Sequence, residues 1–361
     1  MRTIGMSDYT VGEDCFDAIP AVLEAHRAKT VVLVGGERAL AAAAPGIKEA
    51  LAGTDVQVLD TIVYGKDSTQ TNIDRLAGTP AFIEANVAFA IGGGKAIDTV
   101  KTAAKTLDKT VFSVPTICSN CSAATAIAVV YNDDGSLKGY AYPDRPAHIF
   151  INPKIVAEAP SEYFWAGVGD ALSKQPEVEY AASAGDLDHT AELGLALAHT
   201  CSEPLFAYGI QGLEDVRAHR SSEAVKRIVL DIVVNTGYVS NLTNQDDFYF
   251  NSSLAHAFYN ATTGIPREGE HLHGEVVSFG VLVLFAYVGE RGELERYATF
   301  NKQMGLPVTL AELDLDESHL ERIAELAQNT NEWKQGNPEP FSVEKFIQAI
   351  KDADAFGREL A

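Results

Sequence analysis

The spacing of apolar residues changes partway along the chain. In the first part they fall in short continuous runs: Thr30-Val-Val-Leu-Val-Gly35, Val87 to Ile91, Val111-Phe-Ser-Val-Pro-Thr116 and His148 to Ile151. Runs of that length bounded by turn residues fit strands covered on both faces. Weaker runs at Val56 to Leu59, Ile62 to Tyr64 and Thr125 to Tyr131 predict further strands. Helical spacing lies between them, from about Glu37, from the capping segment Asp67-Ser-Thr-Gln70, and over 96–107 with Ile97, Val100 and Ala104 on one face. Strands alternating with helices predict an α/β domain over residues 1–160, with a doubly wound, mainly parallel sheet. From Glu162 the period becomes helical, over Thr190 to Thr200, Ser222 to Ser240, Glu275 to Gly289, Leu310 to Asn329 and Val343 to Ala355. No strand alternation and no internal repeat is visible there. Residues 161–361 are therefore expected to form an all-α domain, and the cleft between the two domains is the expected active site.

Within the first part, Asn86-Val-Ala-Phe-Ala-Ile-Gly-Gly-Gly-Lys95-Ala-Ile-Asp98-Thr-Val-Lys101 reads as a buried strand, a glycine turn and a helix. Gly92, Gly93 and Gly94 let a ligand approach the backbone. The first turn of the following helix offers unpaired N–H groups and the positive end of its dipole, a seat for a pyrophosphate. Lys95 adds a cation beside it. The pattern is neither GxGxxG nor GxxxxGK[ST], so a glycine-rich turn without a ligand is the alternative. Ligands of doubly wound sheets bind at the carboxyl ends of the strands, where Gly35, Gly92 to Gly94 and Thr116 would converge.

Charge narrows the partners. With 28 Lys plus Arg against 50 Asp plus Glu, the formal net charge is −22. Such a surface repels nucleic acid and anionic membrane at long range, leaving a small-molecule ligand. No apolar run approaches the roughly 20 residues of a membrane span, and the N-terminus lacks the apolar core of a signal peptide, so a cytoplasmic protein is expected. Of the four cysteines, Cys118-Ser-Asn-Cys121 forms a CxxC, but without the thioredoxin-like context that a redox pair needs.

Three segments of the helical half offer metal ligands. Gly167-Val-Gly-Asp170 places an aspartate where a glycine turn would meet a helix, Leu254-Ala-His256-Ala-Phe places a histidine in an apolar helix, and Glu270-His271-Leu-His273-Gly-Glu275 places another before a long apolar helix. Asp, His and His from separate elements can bind one divalent ion and leave positions open. Taken singly, Asp170 could cap its helix, His256 could be a satisfied core histidine, and His271/His273 a solvated loop.

Together these pieces resemble the glycerol dehydrogenase branch of the iron-containing alcohol dehydrogenase superfamily. The matching segments are Gly92-Gly-Gly-Lys-Ala-Ile-Asp-Thr-Val-Lys101, Pro115-Thr-Ile117, Val129-Val-Tyr131, Gly167-Val-Gly-Asp-Ala171, Ala255-His-Ala257 and His273-Gly-Glu275, in order and with similar gaps. The resemblance implies a dehydroquinate synthase-like architecture: a Rossmann-like nucleotide domain followed by a helical metal- and substrate-binding domain. It implies Asp170, His256 and His273 as ligands of one divalent metal, zinc in preference to iron. It places Gly93, Gly94, Lys95, Asp98, Thr116, Ser119, Thr125, Ile127 and Tyr131 around NAD or NADP, and implies a homo-oligomer.

Several positions depart from that family. Where glycerol dehydrogenases carry a substrate-contacting aspartate, this chain has Cys121, which is similar to related hydroxycarboxylate dehydrogenases. Losing a carboxylate removes a repulsion against an anionic substrate. After the first strand, Gly35-Gly36-Glu37-Arg38 lacks the aspartate of NAD-preferring relatives, and Arg38 suits a 2′-phosphate while Glu37 does not. Tyr259 stands where relatives often have histidine, and Lys174-Gln175-Pro176 should end the helix after Asp170 early. The expected activity is metal-dependent, NAD(P)-linked interconversion of a small alcohol, a glycerol-like polyol or a 2-hydroxy acid, with its carbonyl, His271 assisting the proton. The alternative is a dehydroquinate synthase-like lyase that uses bound NAD and metal without net redox.

Overall fold

The computed structural model describes residues 3–360. The N-terminal part holds eight strands: β1 (Asp8–Val11), β2 (Thr30–Gly35), β3 (Gln57–Val63), β4 (Val87–Gly92), β5 (Thr110–Pro115), β6 (Ala128–Tyr131), β7 (Leu137–Ala141) and β8 (His148–Ile151). The four continuous apolar runs became β2, β4, β5 and β8. Val31 to Val34 and Ala88 to Ile91 are wholly buried, as strands with both faces covered must be. Phe89 and Phe112 meet edge to face at 5.5 Å, and Phe150 stacks on Phe89 at 6.2 Å, forming an aromatic spine across β4, β5 and β8.

Six strands form one sheet in the order β1-β8-β5-β4-β2-β3, and all their pairings are parallel. From β2 the chain goes to β3 on one side and then to β4 on the other, a reversal that opens the loops at the strand ends. There Gly35 pairs with Ile91 and Gly92 with Pro115, and the Thr116 N–H donates to the Gly92 carbonyl at 3.1 Å.

Three features differ from expectation. β1 has no continuous apolar run, because as an edge strand only part of it is covered. The 125–131 segment contributes β6, which pairs antiparallel with the polar β7 in a separate hairpin instead of joining the main sheet. In the helical half, Asn244–Gln245 and Phe248–Tyr249 form a two-residue ladder, too short for alternation to register.

The helical expectation holds elsewhere. Val343–Leu360 and His273–Val288 are helices, and residues 223–243 are helical throughout, with a π-helical turn at Asp231–Asn235. Leu310 to Asn329 is broken: two 3-10 turns, separated at the left-handed Asp314 (φ 54°), precede the helix Leu320–Ala327. The chain forms two compact units, one of Met1–Ser161 with Asp215–Val229, the other of Glu162–Glu214 with Leu230–Ala361. The single expected break at 160/161 did not include the return of Asp215–Val229 to the first unit, where the His219 Nδ1–H donates to the Ala157 carbonyl at 3.3 Å. Among the described residues no helix is long and apolar enough to cross a membrane.

Candidate functional site

In the helical unit, two close helix approaches create a three-donor cluster. A Cβ on Gly274 would lie 1.8 Å from the Ala166 carbonyl oxygen, and one on Gly169 would lie 2.4 Å from that of Gly274. The helices Ser161–Ala171 and His273–Val288 therefore touch backbone to backbone, which sets His273 over Asp170. A Cβ on Gly280 would lie 2.6 Å from the Ala255 oxygen, so the same long helix also meets the helix Leu254–Thr262 that carries His256. Asp170 is not a cap in a glycine turn but sits in the last turn of its helix, and His273 is the first residue of the long helix rather than lying ahead of it.

Asp170, His256 and His273 each offer one ligand atom, and these atoms all lie within 4.8 Å of one another. The His273 Nε2–H donates to Asp170 Oδ1 at 2.9 Å, and His256 Nε2 is 3.6 Å from the same oxygen. Burial works to raise the Asp170 pKa, but His273 and His256 overcome it and hold the carboxyl well below the usual carboxylate range. Burial would lower His256; the Glu177 charge and the Asp170 bond reverse this and raise it to about 10. An anionic carboxylate faced by two imidazole nitrogens is a donor set suited to one divalent cation.

Glu177, which the sequence reading missed, lies behind His256. It is completely buried and accepts the His256 Nδ1–H at 2.6 Å, the His256 N–H at 3.0 Å and the Ser253 N–H at 2.8 Å. Tyr259 stands edge-on to His273 with ring centroids 4.2 Å apart. His271 is not part of the cluster. Its ring lies between Glu275 Oε1 at 3.0 Å and Asp314 Oδ2 at 3.1 Å.

In the α/β unit, parts of the segments expected to bind a dinucleotide pack against the glycine turn, Ile117 beside Gly93 and Asn120 beside Gly94. Gly92 has φ 147°, a conformation that side chains rarely adopt, and hands the chain to the helix Gly94–Lys105. Lys95 Nζ donates to Asp67 Oδ2 at 2.7 Å and lies 5.1 Å from the Tyr131 ring centre. Asp98 is engaged within the protein: Oδ1 accepts from the Ser122 hydroxyl at 2.5 Å and Oδ2 from the Val129 N–H at 2.9 Å. Lys101, also missed, is fully buried and donates to the carbonyls of Ser122, Thr125 and Ile127 at 2.9, 3.1 and 2.7 Å. Asp98 and Lys101 thus hold the loop that carries Ser119, Cys121, Thr125 and Ile127. Arg38 is exposed, just beyond the end of β2. Cys118 and Cys121 are not joined by a disulfide, and burial pushes Cys118 far up, opposite to what a reactive thiolate needs.

A family model for iron-containing alcohol dehydrogenases matches residues 10–160. A glycerol dehydrogenase of Thermotoga maritima is 34% identical over 307 residues, 82% of this chain and 82% of that one. The chain belongs to the iron-containing alcohol dehydrogenase family. Hydroxycarboxylate dehydrogenase A of Escherichia coli (strain K12) is 28% identical over 329 residues, 91% of this chain and 89% of that one. The solved structure of a probable glycerol dehydrogenase from Sinorhizobium meliloti 1021 superposes with a TM-score of 0.85 at 25% identity, covering 100% of both chains. As a family member the protein is a metal-dependent, NAD(P)-linked oxidoreductase that interconverts an alcohol and its carbonyl, and the lyase alternative is not favoured.

Proposed function

We propose that this alcohol dehydrogenase family member interconverts a small 2-hydroxy acid and its 2-oxo acid, with the metal held by Asp170, His256 and His273. The observation that carries the reading is the meeting of those three donors from three separate helices within 4.8 Å. A divalent metal there, proposed to be zinc, would supply Lewis-acid polarisation of the substrate oxygen, and the dinucleotide would supply or take up the hydride. The division of labour is proposed as residues 1–160 binding the dinucleotide and residues 161–361 the metal and substrate.

The chain's own groups supply the rest. Asp170 provides the anionic ligand, and the imidazoles of His256 and His273 turn Nε2 towards it. The glycine turn and the N–H groups of the helix Gly94–Lys105 would hold the pyrophosphate, with Lys95 and Thr116 beside it and the Ser119 to Tyr131 segment around the nucleotide. Arg38 beside Glu37 leaves the adenosine end open to NADP as well as NAD. His271, joined to Asp314 whose side chain is 41% exposed, offers a route for the proton to solvent. Cys121, a half-buried cysteine at the family's aspartate position, supports an acid substrate. A glycerol-like polyol is the second reading, supported by the 34% identity to a glycerol dehydrogenase.

A cytoplasmic setting is proposed from the four cysteines, none of them disulfide-bonded among the described residues, and a homo-oligomer is proposed from the family resemblance. The test is a panel of glycerol, dihydroxyacetone and 2-oxo acids with NADH and NADPH side by side, accompanied by metal analysis. The expected result is turnover of 2-oxo acids by enzyme containing one metal ion per chain. Full activity in metal-free enzyme would overturn the reading, and turnover of glycerol alone would select the polyol.

A further inference from the structure

We propose that Glu177 is a positioning residue that sets the tautomer of His256 and so determines which of its nitrogens reaches the metal. The inference rests on the metal reading above. Glu177 belongs to the helix Lys174–Ala181, which starts afresh after the break at Leu172–Ser173. It has no solvent exposure, and both of its oxygens are committed. Oε1 accepts the N–H groups of Ser253 and His256, at 2.8 and 3.0 Å, and Oε2 accepts the His256 Nδ1–H at 2.6 Å.

The two oxygens do different work. The helix Leu254–Thr262 starts without a side-chain cap of its own, and the buried Ser253 hydroxyl has no partner. Oε1 therefore substitutes for the missing cap from a distant part of the chain, taking two of the N–H groups that a helix start leaves unpaired. Oε2 then faces His256 Nδ1 in a fixed orientation. A carboxylate can only accept, so when a cation displaces the proton from Nε2 the remaining imidazole proton stays on Nδ1, and Nε2, 3.6 Å from Asp170 Oδ1, is the nitrogen left to ligate. One turn earlier on the same helix, Lys174 is also buried and donates to the Asn251 carbonyl and to its side-chain oxygen, at 2.9 and 2.8 Å. Lys174 and Glu177 thus grip both ends of the turn from which His256 projects.

Glu177→Gln tests this with almost no change in volume. The amide oxygen can still accept the two backbone N–H groups, which turns the NH2 towards His256 Nδ1. That NH2 can only donate, so the imidazole proton must move to Nε2, where it blocks ligation. The expected result is zinc affinity lower by roughly 10- to 100-fold, measured by competition with a chromophoric chelator, with the far-UV circular dichroism unchanged. In 15N-histidine-labelled, zinc-loaded wild-type enzyme, a slowly exchanging Nδ1–H signal should be present, assigned to His256 by its absence in His256→Ala. A Glu177→Gln protein that folds and holds zinc as tightly as wild type would overturn the proposal. If the variant does not fold, the wild-type spectrum decides: an Nδ1–H on His256 supports the proposal, and an unprotonated Nδ1 overturns it. Wild-type enzyme whose zinc content is unchanged by His256→Ala would remove the metal reading and this one together. Equal zinc binding by wild type and Glu177→Gln removes only the role of Glu177.

Discussion

Cys121 is the position at which the proposed acid reading and the polyol reading make opposite predictions. Two like unit charges about 6 Å apart, at an effective dielectric constant of about 20, repel by roughly 3 kcal/mol. An aspartate placed against a substrate carboxylate would therefore cost far more than a tenfold loss, whereas the same aspartate accepts a hydroxyl from a polyol. Cys121→Asp is expected to lower kcat/KM for 2-oxo acids by at least tenfold while leaving glycerol oxidation unchanged or faster. Paired steady-state kinetics on the two substrates check it, and an equal loss for both would show that the position does not contact substrate. At this scale the donors of the candidate centre were legible. Asp170, His256 and His273 each sit in a short motif whose residue types point to ligation, and the structure brings all three together. Glu177 was not legible, because a carboxylate shows its role only through its partners, and its partner is 79 residues away in the chain. Asp98, expected from the resemblance to lie around the dinucleotide, accepts from the Ser122 hydroxyl and the Val129 N–H, partners that its motif did not announce.

Helices come together at this site through glycine as well as through side chains such as Phe258 and Phe279, whose rings lie 5.5 Å apart. At Gly280 an added methyl would lie 2.6 Å from the Ala255 oxygen and 2.9 Å from its Cα, both backbone atoms that cannot swing aside. Gly280→Ala must push the His273 helix away from the His256 helix, at a cost of about 1–3 kcal/mol as for other overpacked cores. The expected outcome is a lower Tm in the metal-free protein and weaker binding of a divalent metal, since separating the helices spreads the donors. Gly292→Ala is the control: it lies in the helix Arg291–Met304 with nothing within 4 Å of the added carbon, so it should be neutral or stabilising. If both variants melt alike, the close approach carries no weight. Apolar period was enough to place β2, β4, β5 and β8 and most helices, because buried elements leave a continuous or 3.6-residue signal. Edge strand β1 and hairpin strand β7 left none, since no face of either is fully covered, and the two-residue ladder at 244–249 is too short for alternation to register. Helix-to-helix distance was equally invisible: a glycine in a helix pattern reads as a weak point until its neighbour is known.

Over the whole molecule the dominant quantity is an excess of 22 negative charges, 50 acidic against 28 basic residues. Salt acts on this surface in two opposing ways. It weakens attractive pairs such as Lys105–Asp144 and Arg296–Glu203, but these are exposed, and exposed pairs contribute about 0–1 kcal/mol each. It also weakens the mutual repulsion of the unpaired carboxylates, which opposes compaction of the entire chain. With nearly twice as many acids as bases, repulsion outweighs attraction, so screening should stabilise the fold. The Debye length falls from about 10 Å at 0.1 M to about 3 Å at 1 M salt, so most of the gain should appear in that range. Tm is expected to rise from 0.05 to 1 M NaCl and to rise equally in KCl, because screening depends on ionic strength and not on the identity of the cation. A Tm that falls with salt would mean the attractive pairs prevail. A rise in only one of the two salts would point to a bound cation instead. The same field acts on ligands: KM for an anionic 2-oxo acid should fall as salt is added, while KM for uncharged dihydroxyacetone should not. Measured on one preparation, that contrast separates long-range repulsion by the surface from short-range repulsion at position 121, because salt relieves the first and leaves a partly buried contact largely unscreened.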